Sequence, residues 1–505
     1  MVFSSLVFIM IFLPVVFVGS RITGLAGKRW VNVFLLLASL LFYAWGEPVY
    51  VLLMLLSIIV NYVLGLAMDS AGQGKDGRRR LLLAADIVFN LGLLGYYKYY
   101  NFAVDTVNRI FHLEIHARRI PLPIGISFFT FQILSYMIDL YRKRYPAQRN
   151  PVSLALYISF FPQLIAGPIV RYADIEMQLS ERAVSVEKTA EGIRRFIYGL
   201  GKKVILANTL AHAADRIFSQ PYRSISTSAA WVAAVFYTLQ IYYDFSGYSD
   251  MAIGLGKMLG FDFLENFRYP YLSFSIREFW RRWHISLGTW FREYLYIPLG
   301  GNRKGKVRTY LNLVIVFFLT GLWHGASFNF VLWGLYHGLF SILERLGFEK
   351  ILKKCRPLAW TYTFLAVVLG WVWFRVEGLG EAWRFTRILF HLSAGKASSE
   401  PLSIWVMVPH RAAFTALIAI LGMGLLQTLL RRVSERKLLR EKAISGSRLN
   451  GTYEEVRPEG VPERIALQAF PWLRWAELVW CLFVFLVSMA MLAGNTYNPF
   501  IYFRF

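Results

Sequence analysis

Apolar runs of roughly 17–25 residues, separated by short polar loops, recur along most of this chain. A helix of that length crosses a hydrocarbon core about 30 Å thick. The pattern predicts spans near 2–20, 31–46, 49–68, 81–97, 121–141, 151–170, 193–214, 228–258, 310–323, 327–345, 358–376, 404–430 and 472–493. The run 121–141 and the pair flanking His324 are candidates for bent or re-entrant segments. An open sheet cannot satisfy its backbone in lipid, so the expected fold class is all-α and polytopic. Residues 1–505 read as a single transmembrane domain, with no internal repeat or low-complexity tract. The polar stretch 172–192 is too short to fold alone. One sizeable polar linker, 431–470, is expected to form a cytoplasmic loop (434–470) with partial helix before the last span.

Composition sharpens this picture. The chain is 56% hydrophobic and only 17% charged, where a soluble domain is nearer about a quarter charged. A net charge of +24 raises nucleic acid as a partner, but no compact basic domain exists to bind it, and none is expected. The cations lie instead in short loops, where they set topology and meet anionic headgroups of membrane lipid. Arg21, Lys28 and Arg29 follow the first run, Lys75 and Arg78–Arg80 precede the fourth, and Arg142, Lys143, Arg144 and Arg149 follow the fifth. Arg431, Arg432, Arg436, Lys437, Arg440 and Lys442 precede the last. Placing them all in the cytoplasm puts both termini outside. The opening "MVFSSLVFIMIFLPVVFVGSR" has no basic region before its apolar stretch and no small-residue cleavage site, so a retained helix is expected. Cys355 and Cys481 are the two cysteines, too few for a disulfide framework or zinc spacing, and no metal is expected.

The most patterned stretch is "SIREFWRRWHISLGTWFREYLYIPLGGNRKG", 275–305. At helical spacing Ile276, Phe279, Trp280, Trp283, Leu287, Trp290, Phe291 and Tyr294 fall in one arc about 120° wide. Arg277, Arg281 and Arg292 flank the arc, and His284 sits on its border. Two readings stay open. One is a helix lying in the headgroup plane with an incidental histidine. The other is a basic wall at the cytoplasmic mouth of a cavity, receiving a polyanionic cosubstrate, with His284 pointing inward. The following "PLGGNRKGK" supplies Arg303, Lys304 and Lys306 but lacks the spacing of a P-loop.

His324 follows the apolar run "YLNLVIVFFLTGLW", which places it deep in the membrane. An ionisable group at that depth faces a bundle interior or a water-filled cavity. The bland alternative is a neutral histidine bonded to a neighbouring helix. Gly321, Gly325, Ala326 and Ser327 beside it would let the backbone bend and leave room for a substrate. His337 lies 13 residues on, roughly opposite on a continuous helix, and reads as structural. Asp244 and Asp250 in "YYDFSGYSDMAIG" could orient a histidine, partner an arginine or pack a helix. Asp86, Asn90 and Asp139 say less, and His112, His116, His212, His391 and His410 fall in loops or at run ends.

Taken together, "LPIGISFFTFQILSYMIDLYR" (122–142), "FFPQLIAGPIVRY" (160–172), "YYDFSGYSDMAIGLGKMLGF" (242–261), "FWRRWHISLGTWFREYLYIPLGG" (279–301) and "GLWHGASFNFVLWGLYHG" (321–338) resemble the membrane-bound O-acyltransferase family. The bacterial branch that contains alginate O-acetyltransferase is the most similar, and "MVFSS" and "NPFIYFRF" extend the likeness over nearly the whole chain. The D-alanyl transferase of teichoic acid synthesis shares the "RWHISL" and "WHG" elements. The resemblance implies a ring of tilted helices around a central funnel, with re-entrant and interfacial helices. It also implies that His324 and His284 are catalytic. Substrate contacts are expected from Arg281, Arg282, Trp283, Trp323, Arg303, Lys304 and Asp244. The implied cosubstrate is a cytoplasmic acyl thioester, acetyl-CoA first, with no bound cofactor. Its phosphates would meet Arg281, Arg282, Arg303 and Lys304. His324 would act as general base toward an acceptor hydroxyl, or carry the acyl group itself. With no G-x-S-x-G element in the chain, the resemblance implies an exported hydrolase-like acetyltransferase partner and polysaccharide-synthesis machinery. It also implies residence in the bacterial cytoplasmic (inner) membrane. The expected product is an O-acetylated extracytoplasmic polysaccharide such as alginate. A transporter would explain buried polar residues, but not a Trp–Arg helix directly before a buried "WHG".

Overall fold

The computed structural model describes residues 1–71, 76–165, 167–392, 407–425, 472–494 and 497–499. The predicted loop 434–470 lies outside the described residues. Among those described there is no strand. Seven helices among the described residues are long and apolar enough to cross a membrane: Phe8–Leu25, Lys28–Gly46, Tyr50–Ser70, Asp76–Phe111, Gly305–His324, Arg356–Arg375 and Trp475–Gly494. Their outer faces expose Leu37, Leu41, Leu52, Ile59 and Val63, an apolar surface that a bilayer would cover. The chain is an all-α, multi-pass membrane protein.

The centre is one helix, Thr227–Met258, of 32 residues. Ser226 caps its start, accepting from the Ala229 amide at 3.2 Å. Every residue from Phe236 to Ser249 is buried, so all faces of this stretch meet protein. It lies against the continuous run Val186–Phe218, which carries a π-turn at Lys202–Ala207. Glycines let the two backbones touch. A Cβ on Gly199 would sit 2.6 Å from the Gly247 carbonyl oxygen, and one on Gly254 2.6 Å from that of Gly192. Ion pairs fasten the same seam. Asp250 takes Arg195 at 2.8 Å and Lys202 at 2.6 Å, and Asp244 takes Lys203 at 2.5 Å. Lys203 also donates to the Pro499 carbonyl, and Asn498 donates to the Ser4 carbonyl at 2.8 Å, which ties both chain ends to this pair.

Three predicted spans come out differently. The run 121–141 becomes helical only at Ile126–Tyr141, because Pro121 and Pro123 hold the entry extended and Gly125 turns it at φ +80°. The run 151–170 is not one helix. Pro151–Ser159 stops at Phe160, whose ψ is 112°, since Pro162 would clash with the carbonyl a turn behind it. The fourth run extends past residue 97, through a π-turn at Gly95–Tyr99, to Phe111.

The stretch 275–305 differs most. Helix Ile276–Arg282 ends at an extended Trp283, His284 adopts the left-handed conformation at φ +46°, and a second helix runs Ile285–Phe291. Its aromatic arc does not lie against lipid. Ile276, Phe279, Trp283, Leu287, Trp290, Phe291 and Tyr294 are all buried. Trp290 stacks on Phe131 at 3.8 Å and donates to its carbonyl oxygen at 2.9 Å, and Trp283 packs 4.8 Å from Trp371. The pattern that suggests a headgroup anchor is an aromatic wedge driven into the protein.

Candidate active site

His324 is the last residue of the 20-residue helix Gly305–His324. The chain reverses over Gly325–Ser327 and returns as Phe328–Leu343. The glycines here let the hairpin close tightly. A Cβ on Gly321 would lie 2.3 Å from the Phe330 carbonyl oxygen, one on Gly334 2.2 Å from that of Phe317, and one on Gly325 2.2 Å from the Phe330 ring. Of the four small residues expected to leave room, Gly321 instead packs against the returning helix, whereas Gly325, Ala326 and Ser327 border open volume.

The open volume begins just beyond. A cavity of about 700 Å³ is lined by Gly325, Ala326, Ser327, Asn329 and Phe374, among others. Its walls also carry Asp105, Arg109, Arg375 and Glu377. Phe374 lines this cavity and packs 5.3 Å from the His324 ring on its other side.

The imidazole of His324 is buried among Trp323, Trp333 and Phe374, at centroid distances of 5.0, 5.0 and 5.3 Å. Neither of its ring nitrogens has a hydrogen-bond partner among the described residues. A buried histidine normally finds one, so the bland reading of a histidine bonded to a neighbouring helix does not hold. Both ring nitrogens of His337 are likewise without a partner among the described residues.

His284 lies one indole away, with Trp323 5.8 Å from it and 5.0 Å from His324. Its left-handed backbone turns the ring inward, where Phe245 meets it edge-on at 4.7 Å. Asn266 fixes its state. Asn266 Oδ1 accepts from the Ser286 amide at 3.2 Å, which identifies that atom as the oxygen, and from Ser286 Oγ at 3.0 Å. His284 Nδ1, 3.1 Å from the same oxygen, must then carry the proton. Nε2 keeps its lone pair and has no partner among the described residues.

His337 is not across a continuous helix from His324, because the helix breaks between them. Trp333 lies between the two rings, 5.0 Å from His324 and 5.1 Å from His337. His337 is fully buried, also flanked by Trp280 at 5.1 Å.

The predicted cations divide. Arg281 is exposed and donates to the Arg277 carbonyl at 3.3 Å. Arg282 is held by Glu278 at 2.6 Å, and Arg277 by Glu349 at 2.6 Å. Arg303 and Lys304 are exposed just before the His324 helix begins, about 30 Å along its axis from the histidine. Asp244 is committed to Lys203 within the central helix pair. Trp283 walls the site through Phe267 at 5.1 Å and Trp371.

Two residues escape the sequence reading. Asn266 sits in a polar loop with no periodic signal. Lys98 falls at the edge of a predicted span, where a lysine ordinarily reaches for water. Here it is buried, donating to the Trp323 carbonyl and, at 3.2 Å, to Ser127 Oγ.

His324 and His337 are both buried beside Trp333 with ring nitrogens that have no partner among the described residues, and His284 lies beyond Trp323. The chain belongs to the membrane-bound O-acyltransferase family, whose model matches residues 129–379, and it is an O-acetyltransferase. It is similar to the probable alginate O-acetylase AlgI of Pseudomonas putida, 42% identical with the whole of both chains covered. It is also similar to the peptidoglycan O-acetyltransferase of Helicobacter pylori, 37% identical over 76% of this chain and 78% of that one. The teichoic acid D-alanyltransferase of Bacillus subtilis is 29% identical over 49% of this chain and 65% of its own length.

Proposed function

We propose that this enzyme moves an acetyl group from cytoplasmic acetyl-CoA across the bacterial inner membrane for O-acetylation of an extracytoplasmic polysaccharide. Alginate is the polymer named for its full-length relatives. The observation that carries the reading is the position of His324. Exposed cations, Arg303 and Lys304, stand at one end of its helix, and the cavity that carries Asp105, Arg109, Arg375 and Glu377 opens at the other.

On this reading the donor's phosphates meet Arg281, Arg303 and Lys304. The thioester reaches the wall of indoles, and an acceptor hydroxyl approaches from the cavity. A ring nitrogen of His324 takes the hydroxyl proton as the oxygen attacks the thioester carbonyl. The tetrahedral intermediate collapses, the carbon–sulfur bond breaks, and the thiolate leaves with a proton returned through His324 or His284. No carboxylate is needed to set the tautomer of His284, because Asn266 does so. The acceptor belongs to an exported hydrolase-like partner that completes transfer to the polymer.

The test uses purified protein in liposomes, with labelled acetyl-CoA on the basic-loop side and a hydroxyl acceptor on the other. Protein-dependent loss of thioester, with label arriving across the bilayer, is expected. Thioester that stays intact, or label confined to the donor side, would reject the reading.

A further inference from the structure

The mechanism uses His324 but says nothing of what holds it. An α-helix leaves its last four carbonyls without intrahelical partners, and His324 stands at such an end. Here the end is closed by side chains from another helix. Tyr99 donates its hydroxyl to the Leu322 carbonyl at 2.8 Å, and Lys98 donates to the Trp323 carbonyl. The amide of Gly325 reaches the Gly321 carbonyl only at 3.4 Å, so the helix's own closing bond is long.

Lys98 and Tyr99 are the last two residues of the π-turn Gly95–Tyr99. A π-turn inserts an extra residue into the helix and is characteristically found at functional sites. This one lets adjacent side chains reach adjacent carbonyls. Lys98 also lies over the Trp323 ring, 5.8 Å from its centroid, and donates to Ser127 in the first turn of Ile126–Tyr141. One ammonium thus joins three elements around the indole that separates the two histidines.

A simple helix end does not require this. Glycine or a polar side chain closes most helices, whereas a buried ammonium loses its hydration. Among the described residues Lys98 has no carboxylate partner. Its compensation is the negative end of the His324 helix, where a cation is favoured by the aligned peptide dipoles. An ionisable group kept at that depth marks function more than packing.

We infer that Lys98, seconded by Tyr99, is a positioning residue for the acyl-transfer reaction. It clamps the Leu322 and Trp323 carbonyls so that the His324 imidazole is presented at one fixed place between the donor wall and the cavity. This rests on the proposed role of His324.

The test compares Lys98→Met, which keeps the apolar stem, with Tyr99→Phe, which deletes one hydroxyl. His324→Ala is measured in parallel with acetyl-CoA as donor. Misplacing a reacting group by about 1 Å can cost on the order of 100-fold, so Lys98→Met should lower kcat by about 10- to 100-fold and leave donor KM within about twofold. Tyr99→Phe should lower kcat by about two- to fivefold. Hydrogen exchange at the amides of residues 322–325 should quicken in both, because the last turn frays. Inactive His324→Ala beside normal kcat in Lys98→Met overturns the clamp and leaves the catalytic reading standing. Active His324→Ala overturns both. A rise in donor KM at constant kcat would make Lys98 a donor contact and also overturn the inference. If Lys98→Met fails to insert, Tyr99→Phe decides, and unchanged kcat with unchanged exchange in that variant counts against the clamp.

Discussion

At the scale of single residues, the site is a set of side chains with unequal freedom. His324 has two open ring nitrogens, whereas His284 is tied through Nδ1 to Asn266. Asn266→Ala leaves that nitrogen only the long contact to Ser286 Oγ, at 3.5 Å, a loss of about 1 kcal/mol or more. The expected result is a fall of tenfold or so in kcat with donor KM little changed. Unaltered turnover would remove His284 from the reaction. The arginines also differ. Arg282 is already neutralised by Glu278, so Arg281 is the better phosphate contact, through a planar fork that lysine lacks. Arg281→Lys should raise donor KM several-fold, and Arg282→Lys should raise it less. Equal effects, or none, would contradict this division of labour. His324 stood out in the sequence because an imidazole among apolar residues is anomalous, whereas His284 was singled out as catalytic only by the family resemblance. Asn266 and Lys98 did not stand out, because a loop asparagine and a lysine at a span edge are ordinary until the fold brings them inside.

At the scale of elements, the long apolar helices were legible from length and hydropathy alone. Bends at 121–141 and beside His324 were legible in the sequence, whereas the break at Phe160 was missed although Pro162 carries the signal. The turn at His284 carries no such mark, since the same aromatic arc suits one lipid-facing helix or two buried ones. What decides is packing partners far away in sequence, Phe131 and Trp371. The central pair depends on glycine in the same non-local way. Gly199→Ala would place a methyl 2.6 Å from the Gly247 oxygen and force the helices apart, at a cost of about 1–3 kcal/mol. Gly92, in a helix with nothing within 4 Å, is the control. Thermal unfolding in detergent should drop clearly for Gly199→Ala and stay level for Gly92→Ala. Equal behaviour would show that the seam is not tight.

At the scale of the molecule, the proposed transfer across the membrane requires the two ends of the His324 helix to be different places. Basic residues gather toward one end. Arg79 donates to the Leu140 carbonyl at 3.0 Å, Arg142 to that of Glu293 at 3.2 Å, and Arg171 pairs with Glu293 at 2.8 Å. The positive-inside rule assigns that end to the cytoplasm. Cysteines introduced at Arg303 and Leu379 should therefore label from the cytoplasmic and the opposite side respectively. Labelling of both from one side would contradict a transfer across the membrane. The central claim remains the chemistry of one imidazole, and the most direct measurement is thiol release from acetyl-CoA by purified protein, wild type against His324→Ala, at matched expression and insertion. A fall of about 10²–10⁴-fold in the variant is predicted, the usual cost of losing a general base. Near-normal thiol release from His324→Ala would contradict the account.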